Sequence, residues 1–516
     1  MINVFFNDEV SAAEKKIYTS IQIPTILLME NAGANSAHNI LKKIRDIDTN
    51  EVVIVAGKGN NAGDGFTAAR HLSNSNIGVK ILMLYGEKEL NGDAFLNYSI
   101  LKNSNNKNIN ILYCKDDKAL KKEITDFNYV IIDAIFGVGF KGKIDKRIAD
   151  IIRFINSLKS KYIISLDVPS GLYFYDQDEV CIKANETLTM GVKKFHTLFY
   201  KGKENSGKIE VMNIGVSKDE FTNQNLKSVF QIEENDVKKI IPQRKINSNK
   251  YSNGKVFILS GSKGLTGAAY LCSQSALRTG SGAVITGIPA SLNGIMEIKL
   301  TEVMTMPLLE TENSTLSLKC YDEIKSKLIW ADTVLIGPGL SKNEETMELV
   351  RKIIKENDLN FVIDADAISA FKGKLNYLKK RKIILTPHLG EFANLTGRNT
   401  EEIKNDFYKL AKDFAREYNV LLVLKNSPTI ITDGQSFYIN STGKENLATA
   451  GTGDVLSGMI TGIYSQNHNA FDSAIAGVYI HGKCGDNLYE SAGSGSMLAS
   501  DLINEIPIVK NQLIRQ

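Results

Sequence analysis

Residues 447–458 read LATAGTGDVLSG, and the centre of this stretch is Gly451-Thr452-Gly453-Asp454. Two glycines permit a tight turn whose backbone can approach a ligand closely. The apolar-periodic residues that follow, Val455, Leu456, Met459 and Ile460, predict a helix. Its first N–H groups would lack intrahelical partners and carry the positive end of the dipole. That makes an anion site suited to a nucleotide phosphate. Asp454, placed inside it, could act as a base towards a substrate hydroxyl. An ordinary N-capping aspartate after a glycine turn has the same sequence.

Working outward, short apolar strands alternate with amphipathic helices along most of the chain. Strands are predicted at 52–56, 80–85, 129–133 and 162–167, then at 255–260, 283–287, 333–337, 361–364, 382–386 and 420–425. Continuous runs rich in Val and Ile fit buried parallel strands, and the alternation with helices indicates an α/β protein. A chain of 516 residues is too long for one core. The polar stretch 216–250, rich in Lys and Asn, marks the boundary. The expected organisation is a domain over 1–215, a linker over 216–236 and a second domain over 237–516.

Bulk composition narrows the class. Net charge is +4, from 62 basic and 58 acidic residues, which is too balanced to indicate a nucleic-acid or membrane partner. The five cysteines, at 114, 181, 272, 320 and 484, form no CxxC pair. Such a sparse set indicates reduced thiols, a cytoplasmic location and no zinc site. The opening MINVFFNDEV carries Asp8 and Glu9 and does not have the form of a signal peptide. No apolar run is long enough to span a bilayer.

In the first half, Gly57-Lys58-Gly59-Asn60-Asn61-Ala62-Gly63-Asp64-Gly65 follows a buried strand, and a helix is predicted over 66–72. Gly57 to Ala62 meets the relaxed dinucleotide fingerprint GxGxxA, a weak signal alone. Asp133 closes a strand and precedes Gly137-Val138-Gly139-Phe140-Lys141-Gly142-Lys143. Asp167 closes another and precedes Val168-Pro169-Ser170-Gly171. In an open parallel sheet the ligand crevice lies outside the carboxyl ends of the strands, so Asn61, Asp133, Asp167 and Ser170 could meet in one pocket. Each aspartate alone could equally cap a loop.

GKGNNAGDGFTAARHL (57–72), with DAIFGVGFKG and LDVPSGL, resembles the signature segments of NAD(P)H-hydrate epimerases, and LLMENAGANSA (27–37) resembles that family's opening helix. The resemblance covers about residues 1–215. It implies a Rossmann-like three-layer domain that interconverts the R and S hydrates of NADH and NADPH. It further implies a potassium ion held by Asn61, Asp133 and Ser170. The substrate would be held by Asn60, Asn61, Ala62, Gly63 and Asp64, by the segment Gly137, Val138, Gly139, Phe140, Lys141, Gly142 and Lys143, and by Asp167. Ala62 stands where that family usually has Gly, which would cost strain if its φ were positive.

The second half ends one strand in Gly261-Ser262-Lys263-Gly264 and another in Gly337-Pro338-Gly339. Others end in Asp364-Ala365-Asp366, in Thr386-Pro387-His388-Leu389-Gly390-Glu391 and in Lys425-Asn426-Ser427-Pro428-Thr429. Asp433-Gly434 marks a hairpin turn. His388 alone reads most simply as a solvated loop residue. The ordered set resembles the ADP- or ATP-dependent NAD(P)H-hydrate dehydratases of the ribokinase-like superfamily, over about residues 237–516. The resemblance implies that Ala268, Gly339 and His388 contact the hydrated nicotinamide nucleotide. Lys425, Asn426, Ser427, Pro428, Thr429 and Gly453 would contact the adenine nucleotide, and Asp454 would be the catalytic carboxylate and touch the hydrate. Leu389 replaces a proline usual in that family. The two halves, in this order, resemble the bifunctional NAD(P)H-hydrate repair enzymes.

The chemistry implied is recovery of a dead cofactor. Hydroxide at C6 of the hydrated ring is a poor leaving group, and the family couples its loss to phosphoryl transfer from ADP or ATP with Mg²⁺. Asp454 would accept the hydroxyl proton, and Asp167 is a candidate acid/base for epimerisation. Small-molecule substrates and a homo-oligomer are expected. Two other classes remain open on the residues alone. A ribokinase-like kinase of a vitamin precursor or sugar shares a GTGD-type loop but leaves the first half unexplained. A non-catalytic scaffold shares the first fold but need not keep Asn61, Asp133 and Ser170 together.

Overall fold

The computed structural model describes residues 1–515 except 125–128, 141, 160, 173–179, 224–226, 380, 381 and 494. The chain divides into two compact units, Asn3–Lys227 and Ser228–Gln516, the latter together with Met1–Ile2.

The first unit is built on a seven-stranded, wholly parallel sheet. Its order is Ile109–Tyr113, Gly78–Met83, Glu51–Ala56, Tyr129–Ala134, Lys161–Leu166, Glu186–Met190, Lys208–Met212. Side chains alternate across a strand. Val52, Ile54 and Ala56 therefore join one apolar cluster with Ala69 and Leu72, and Val53 and Val55 join another with Ile148 and Ile152. Both faces are covered, which gives the expected three layers. Glu51–Ala56 lies between Gly78–Met83 and Tyr129–Ala134, so strand order reverses there and a crevice opens at the carboxyl ends.

One local expectation is corrected. The helix after Glu51–Ala56 is Asn60–Ser73, so it starts six residues before the predicted 66. Asn60 to Gly65 form its first turns, not a loop. The apolar-period signal is blind to this start because the first turn carries the polar and small residues that face the crevice. Ala62 is consequently helical and fully buried, and the positive-φ strain considered above does not arise. A Cβ on the neighbouring Gly63 would run into the Met29 side chain.

The second unit has seven parallel strands in the order Met304–Leu308, Ala283–Pro289, Lys255–Leu259, Thr333–Ile336, Asn360–Ile363, Lys382–Leu385, Leu421–Leu424. The antiparallel hairpin Ile430–Thr432 and Phe437–Ile439 follows around Asp433-Gly434, and Val229–Gln231 pairs parallel with its outer strand. Lys255–Leu259 is the switch point. The stretch 216–236 is not bare linker. It contains the helix Lys218–Thr222 and the strand Val229–Gln231, and the division between units falls inside it. Phe221 packs with Phe5, Val10 and Ile17 of the first unit, and Ile232 belongs to the core of the second. Among the described residues no helix is long and apolar enough to cross a membrane.

The helix Thr452–Asn467, which opens on the GTGD turn, lies directly against Thr266–Arg278. Gly458 and Gly462, one turn apart, permit that approach: a Cβ on Gly458 would run into the Cys272 carbonyl oxygen, and one on Gly462 into the Thr279 hydroxyl. Replacing an interior helical Gly by Ala normally stabilises by about 1 kcal/mol. Gly458→Ala is expected to do the opposite and destabilise the second unit by about 1–3 kcal/mol, through overpacking against backbone. Thermal melting of the variant checks the sign.

Candidate active sites

In the first unit, Asp133 is the penultimate residue of the strand Tyr129–Ala134 and is fully buried. Burial pushes its carboxyl up, and four donors oppose that shift. Ser165 Oγ and the Ser170 N–H each donate to Oδ2 at 2.8 Å. Ser170 Oγ donates to Oδ1 at 2.5 Å, and the Ile135 N–H at 3.2 Å. The Phe136 N–H donates to Ser170 Oγ at 2.8 Å, which ties Asp133 to the glycine-rich segment. Asn61 sits in the first turn of Asn60–Ser73 with both its amide oxygen and its amide nitrogen buried and without a hydrogen-bond partner. A buried amide left unpaired is costly, and it asks for a ligand.

Asp167 follows the strand Lys161–Leu166 with a left-handed backbone, φ 66°. Its Oδ2 accepts the Val138 N–H at 2.9 Å, and its Oδ1 pairs with Lys194 Nζ at 2.7 Å. Lys194 is 1% exposed and also donates to the Met190 carbonyl at 2.5 Å. A Cβ on Gly137 would lie 2.9 Å from Asp167 Oδ2 and 3.5 Å from the Asn61 Cβ, so these three residues share one spot. Asp64 is also buried there. Desolvation, then the nearby Asp167 and Glu14 carboxylates, hold its carboxyl well above the ordinary range. The same cluster includes Tyr18, whose hydroxyl is bonded to Glu14. Asn60, Gly139, Gly142 and Lys143 are exposed at the rim; Phe140 stacks on Phe136 with ring centroids 3.9 Å apart. Lys141 lies outside the described residues.

Sequence reading missed Lys194, Glu14 and Tyr18. Lys194 follows a lysine in VKKF, and nothing local distinguishes a buried lysine from its exposed neighbour. Glu14 and Tyr18 lie on the helix Asn7–Ser20 as an ordinary i,i+4 pair.

In the second unit, Gly451 is left-handed, φ 90°, and caps the helix Thr452–Asn467, so Asp454 lies in the first turn. The turn is held from below: Thr452 Oγ1 donates to the Leu447 and Thr449 carbonyls at 2.9 Å, and His481 Nε2 meets the Thr452 carbonyl at 2.9 Å. Burial holds His481 near pKa 4, so it is neutral and donates. Lys425 Nζ pairs with Asp364 Oδ1 at 2.8 Å, approaches Glu391 Oε2 at 3.8 Å and would be 3.4 Å from a Cβ on Gly453. Asp364 is 1% exposed and also accepts from Thr386 Oγ1 at 2.7 Å. Asp454 therefore sits among Asp364, Asp366, Glu391 and Lys425. Burial first, then Asp364, push it up to about 7 against the pull of Lys425.

His388 caps the helix Leu389–Thr396: its Nδ1 accepts the Gly390 and Glu391 N–H groups at 3.0 and 3.2 Å, and Glu391 returns a bond to the His388 N–H at 2.8 Å. Its Nε2 lies 3.6 Å from Glu391 Oε1 on the exposed side of the ring, beside a cavity of about 260 Å³ lined by Lys342, Asp366, Ser369, His388, Glu391 and Asn394 among others. Leu389 takes the first helical position, where proline is favoured but not required. Gly339, φ 65°, meets Ala268: a Cβ there would be 3.0 Å from the Ala268 Cβ. Lys425 is thus brought beside Gly453 and Asp454, and Ala268 beside Gly339. Asn426 to Thr429 continue from Lys425 as the hairpin connection before Ile430–Thr432. Sequence reading placed Asp364, Asp366 and Glu391 in strand-end motifs but gave them no role, and it missed His481 altogether.

Comparison with known proteins gives two family matches. Residues 256–508 match the model described as NAD(P)H-hydrate dehydratase, and residues 25–195 match the YjeF-related protein N-terminus. The bifunctional NAD(P)H-hydrate repair enzyme of Moorella thermoacetica is 34% identical, over 98% of this chain and 96% of its own length. That of Methanocaldococcus jannaschii is 31% identical, over 94% and 90%. The ADP/ATP-dependent NAD(P)H-hydrate dehydratase of Bacillus subtilis, co-crystallised with ATP and Mg²⁺, is 26% identical with a TM-score of 0.50, covering 56% of this chain and 99% of that one.

A carboxylate whose pKa rises from 3.8 to about 7 on folding disfavours the fold when ionised. The native state then binds the extra proton, so stability falls as pH rises between these two values and is flat beyond them. Asp454→Asn is therefore expected to stabilise the second unit by on the order of 2–4 kcal/mol above pH 7. It should confer nothing below pH 4. Denaturant titrations of both proteins at several pH values measure it.

Proposed function

The chain belongs to the bifunctional NAD(P)H-hydrate repair enzymes, with an epimerase domain and an ADP/ATP-dependent dehydratase domain, and we propose that Asp454 and Asp167 are their respective proton-handling residues. The epimerase domain is assigned to about 1–215 and the dehydratase domain to about 237–516, joined across 216–236. The observation that carries the reading is Asp454: a half-buried carboxylate poised near neutrality in the first turn of a helix entered through Gly451.

In the dehydratase, Asp454 takes the proton of the C6 hydroxyl as that oxygen attacks the terminal phosphorus of ADP or ATP. A base with a pKa near the working pH is effective in this role. The turn at Gly451–Asp454 presents the positive helix end to the transferring phosphoryl, and Lys425 adds its charge beside Gly453. Asn426, Ser427, Pro428 and Thr429 complete the nucleotide contacts. Mg²⁺ bound with the nucleotide neutralises phosphate charge. Ala268, Gly339 and His388 hold the hydrated nucleotide. The ring nitrogen lone pair then expels phosphate, and loss of the C5 proton restores the dihydropyridine.

In the epimerase, Asp167 takes the C6 hydroxyl proton as the C6–N1 bond opens with its electron pair going to nitrogen, which takes up a proton; the reverse closure on the other face of the resulting aldehyde inverts C6. Lys194 and the Val138 N–H fix the carboxylate in place. Asn60, Asn61, Ala62, Gly63, Asp64, the segment 137–143 and Asp167 form the substrate site. The donor set Asn61, Asp133 and Ser170 fits potassium: all are hard oxygens, and the buried amide oxygen of Asn61 has no partner. Held by these residues, potassium would supply positive charge to the site. Among the described residues no cluster of three His, Cys, Asp or Glu suits a transition metal. A cytoplasmic location is supported by five buried free cysteines. A homo-oligomer is supported by Phe95, Leu96 and Ile100, exposed together on the helix Gly92–Asn103.

One assay separates the two activities. Wild type given racemic hydrate and ADP or ATP should consume all of it, followed by absorbance of the reduced nicotinamide. Asp454→Asn should lose dehydration by roughly 10²–10⁴ in rate. Asp133→Ala should consume the S fraction normally and then stall, with only slow spontaneous epimerisation. Wild-type turnover by Asp454→Asn removes Asp454 from the mechanism; an unslowed second phase in Asp133→Ala removes Asp133 from the epimerase site.

A further inference from the structure

Asp364 is a buried carboxylate of the second unit, held by two side-chain bonds, that the proposed chemistry leaves idle. It closes the strand Asn360–Ile363, one position beyond its last residue, and is 1% exposed. Its Oδ1 accepts both Lys425 Nζ, at 2.8 Å, and Thr386 Oγ1, at 2.7 Å. The backbone around it is built to keep it there. A Cβ on Gly337, φ 139°, would run into the Asp364 carbonyl oxygen, and Ala365 is left-handed with φ 48°. A buried ion pair is a poor source of stability in itself, so its retention calls for another role.

We infer that Asp364 is a positioning residue for dehydration, which fixes the Lys425 ammonium beside Gly453 and keeps Asp454 a base by its negative charge. The inference rests on the reading of Asp454 as the base. The geometry is a relay of three groups. Asp364 anchors Lys425, Lys425 reaches the turn that would receive the phosphates, and Asp454 follows that turn. Lys425 cannot swing onto Asp454 and neutralise it while Asp364 holds its ammonium. The charged groups around Asp454 come from each packed element: Asp364 and Asp366 after Asn360–Ile363, Glu391 on Leu389–Thr396 and Lys425 after Leu421–Leu424. Cys272, on Thr266–Arg278, is a buried neutral thiol, and His481, on Ala470–Ala492, is neutral. Three carboxylates against one ammonium favour the proton on Asp454, and Asp364 is the strongest of the three.

The consequence is a shift of pH profile, not only a loss of rate. Asp364→Asn removes the strongest like charge and frees Lys425, and both changes lower the proton affinity of Asp454. The acid limb of kcat/KM for the S hydrate should move down by about one to two pH units. The plateau should fall about tenfold, since a weaker base is a poorer one. KM for the nucleotide should rise as Lys425 loses its anchor. Wild type and variant share the nucleotide's own titration, so the difference between profiles reads the protein. Asp364→Glu keeps the charge but displaces it: the limb should stay within about half a unit while the nucleotide KM still rises. If Asp364→Asn does not fold, Asp364→Glu decides, and a wild-type limb with a wild-type nucleotide KM overturns the inference. In a folded Asp364→Asn, an unmoved acid limb overturns it, whatever the rate. Asp454→Asn, run beside them, keeps the two failures apart: an active Asp454→Asn sinks the base itself, and an inactive one with an unmoved Asp364→Asn limb sinks only the role of Asp364.

Discussion

A carboxylate taken out of water must be paid for by donors or by a proton, and both units of this chain are organised around that constraint. Parallel strands end in the dry interior of a three-layer sandwich. Four aspartates lie at or just beyond such ends or at a helix entry, and each meets the constraint differently. Asp133 collects four donors from Ser165, Ser170 and Ile135. Asp167 takes a lysine and a backbone amide. Asp364 takes a lysine and a threonine hydroxyl. Asp454 has no side-chain hydrogen bond among the described residues, and burial and three carboxylates outweigh the nearby Lys425, so it meets the constraint with a proton. A group in that position can accept a proton in one step and release it in the next.

The fold was largely legible because its strands are runs of Val and Ile flanked by glycine. All ten predicted strands lie where the sheets have them, within one or two residues at each end. Several strands escaped: Ile2–Phe5, Ile109–Tyr113 and Met304–Leu308 are short apolar runs that were passed over, and others carry polar residues in the chain pattern. Glu186–Met190 reads ETLTM, with Glu186, Thr187 and Thr189 all buried, and Lys208–Met212 reads KIEVM. Tertiary burial decides such segments, and hydrophobic pattern carries no trace of it. The helix Asn60–Ser73 began early for a related reason: its first turns are made of small and polar residues, which carry no apolar period.

For the sites, motifs at strand ends were legible because geometry concentrates ligands there. What sequence could not supply was the second partner in each pair. Lys194 and Asp167 are 27 positions apart, and Lys425 and Asp364 are 61. Only the sheet order brings them together: Lys161–Leu166 lies beside Glu186–Met190, and Asn360–Ile363 lies one strand, Lys382–Leu385, from Leu421–Leu424. His388 shows the opposite case. Its local capping bonds to Gly390 and Glu391 follow from adjacent sequence, yet that same Glu391 also faces Lys425 and so joins a loop histidine to the site.

The two lysine–aspartate pairs look alike and serve unlike ends. Lys194 is almost wholly buried, and its ammonium is held by Asp167 and the Met190 carbonyl, so its part is to orient the carboxylate. Asp167 can then take a proton and give it back within one enclosed site, as an epimerisation requires. Lys425 faces outward to Gly453, and its carboxylate partner lies behind it. There the ammonium is the working end and the aspartate its anchor. Phosphoryl transfer needs a cation at the phosphates together with a base that the cation does not quench. Placing a second carboxylate behind the lysine meets both needs with one residue.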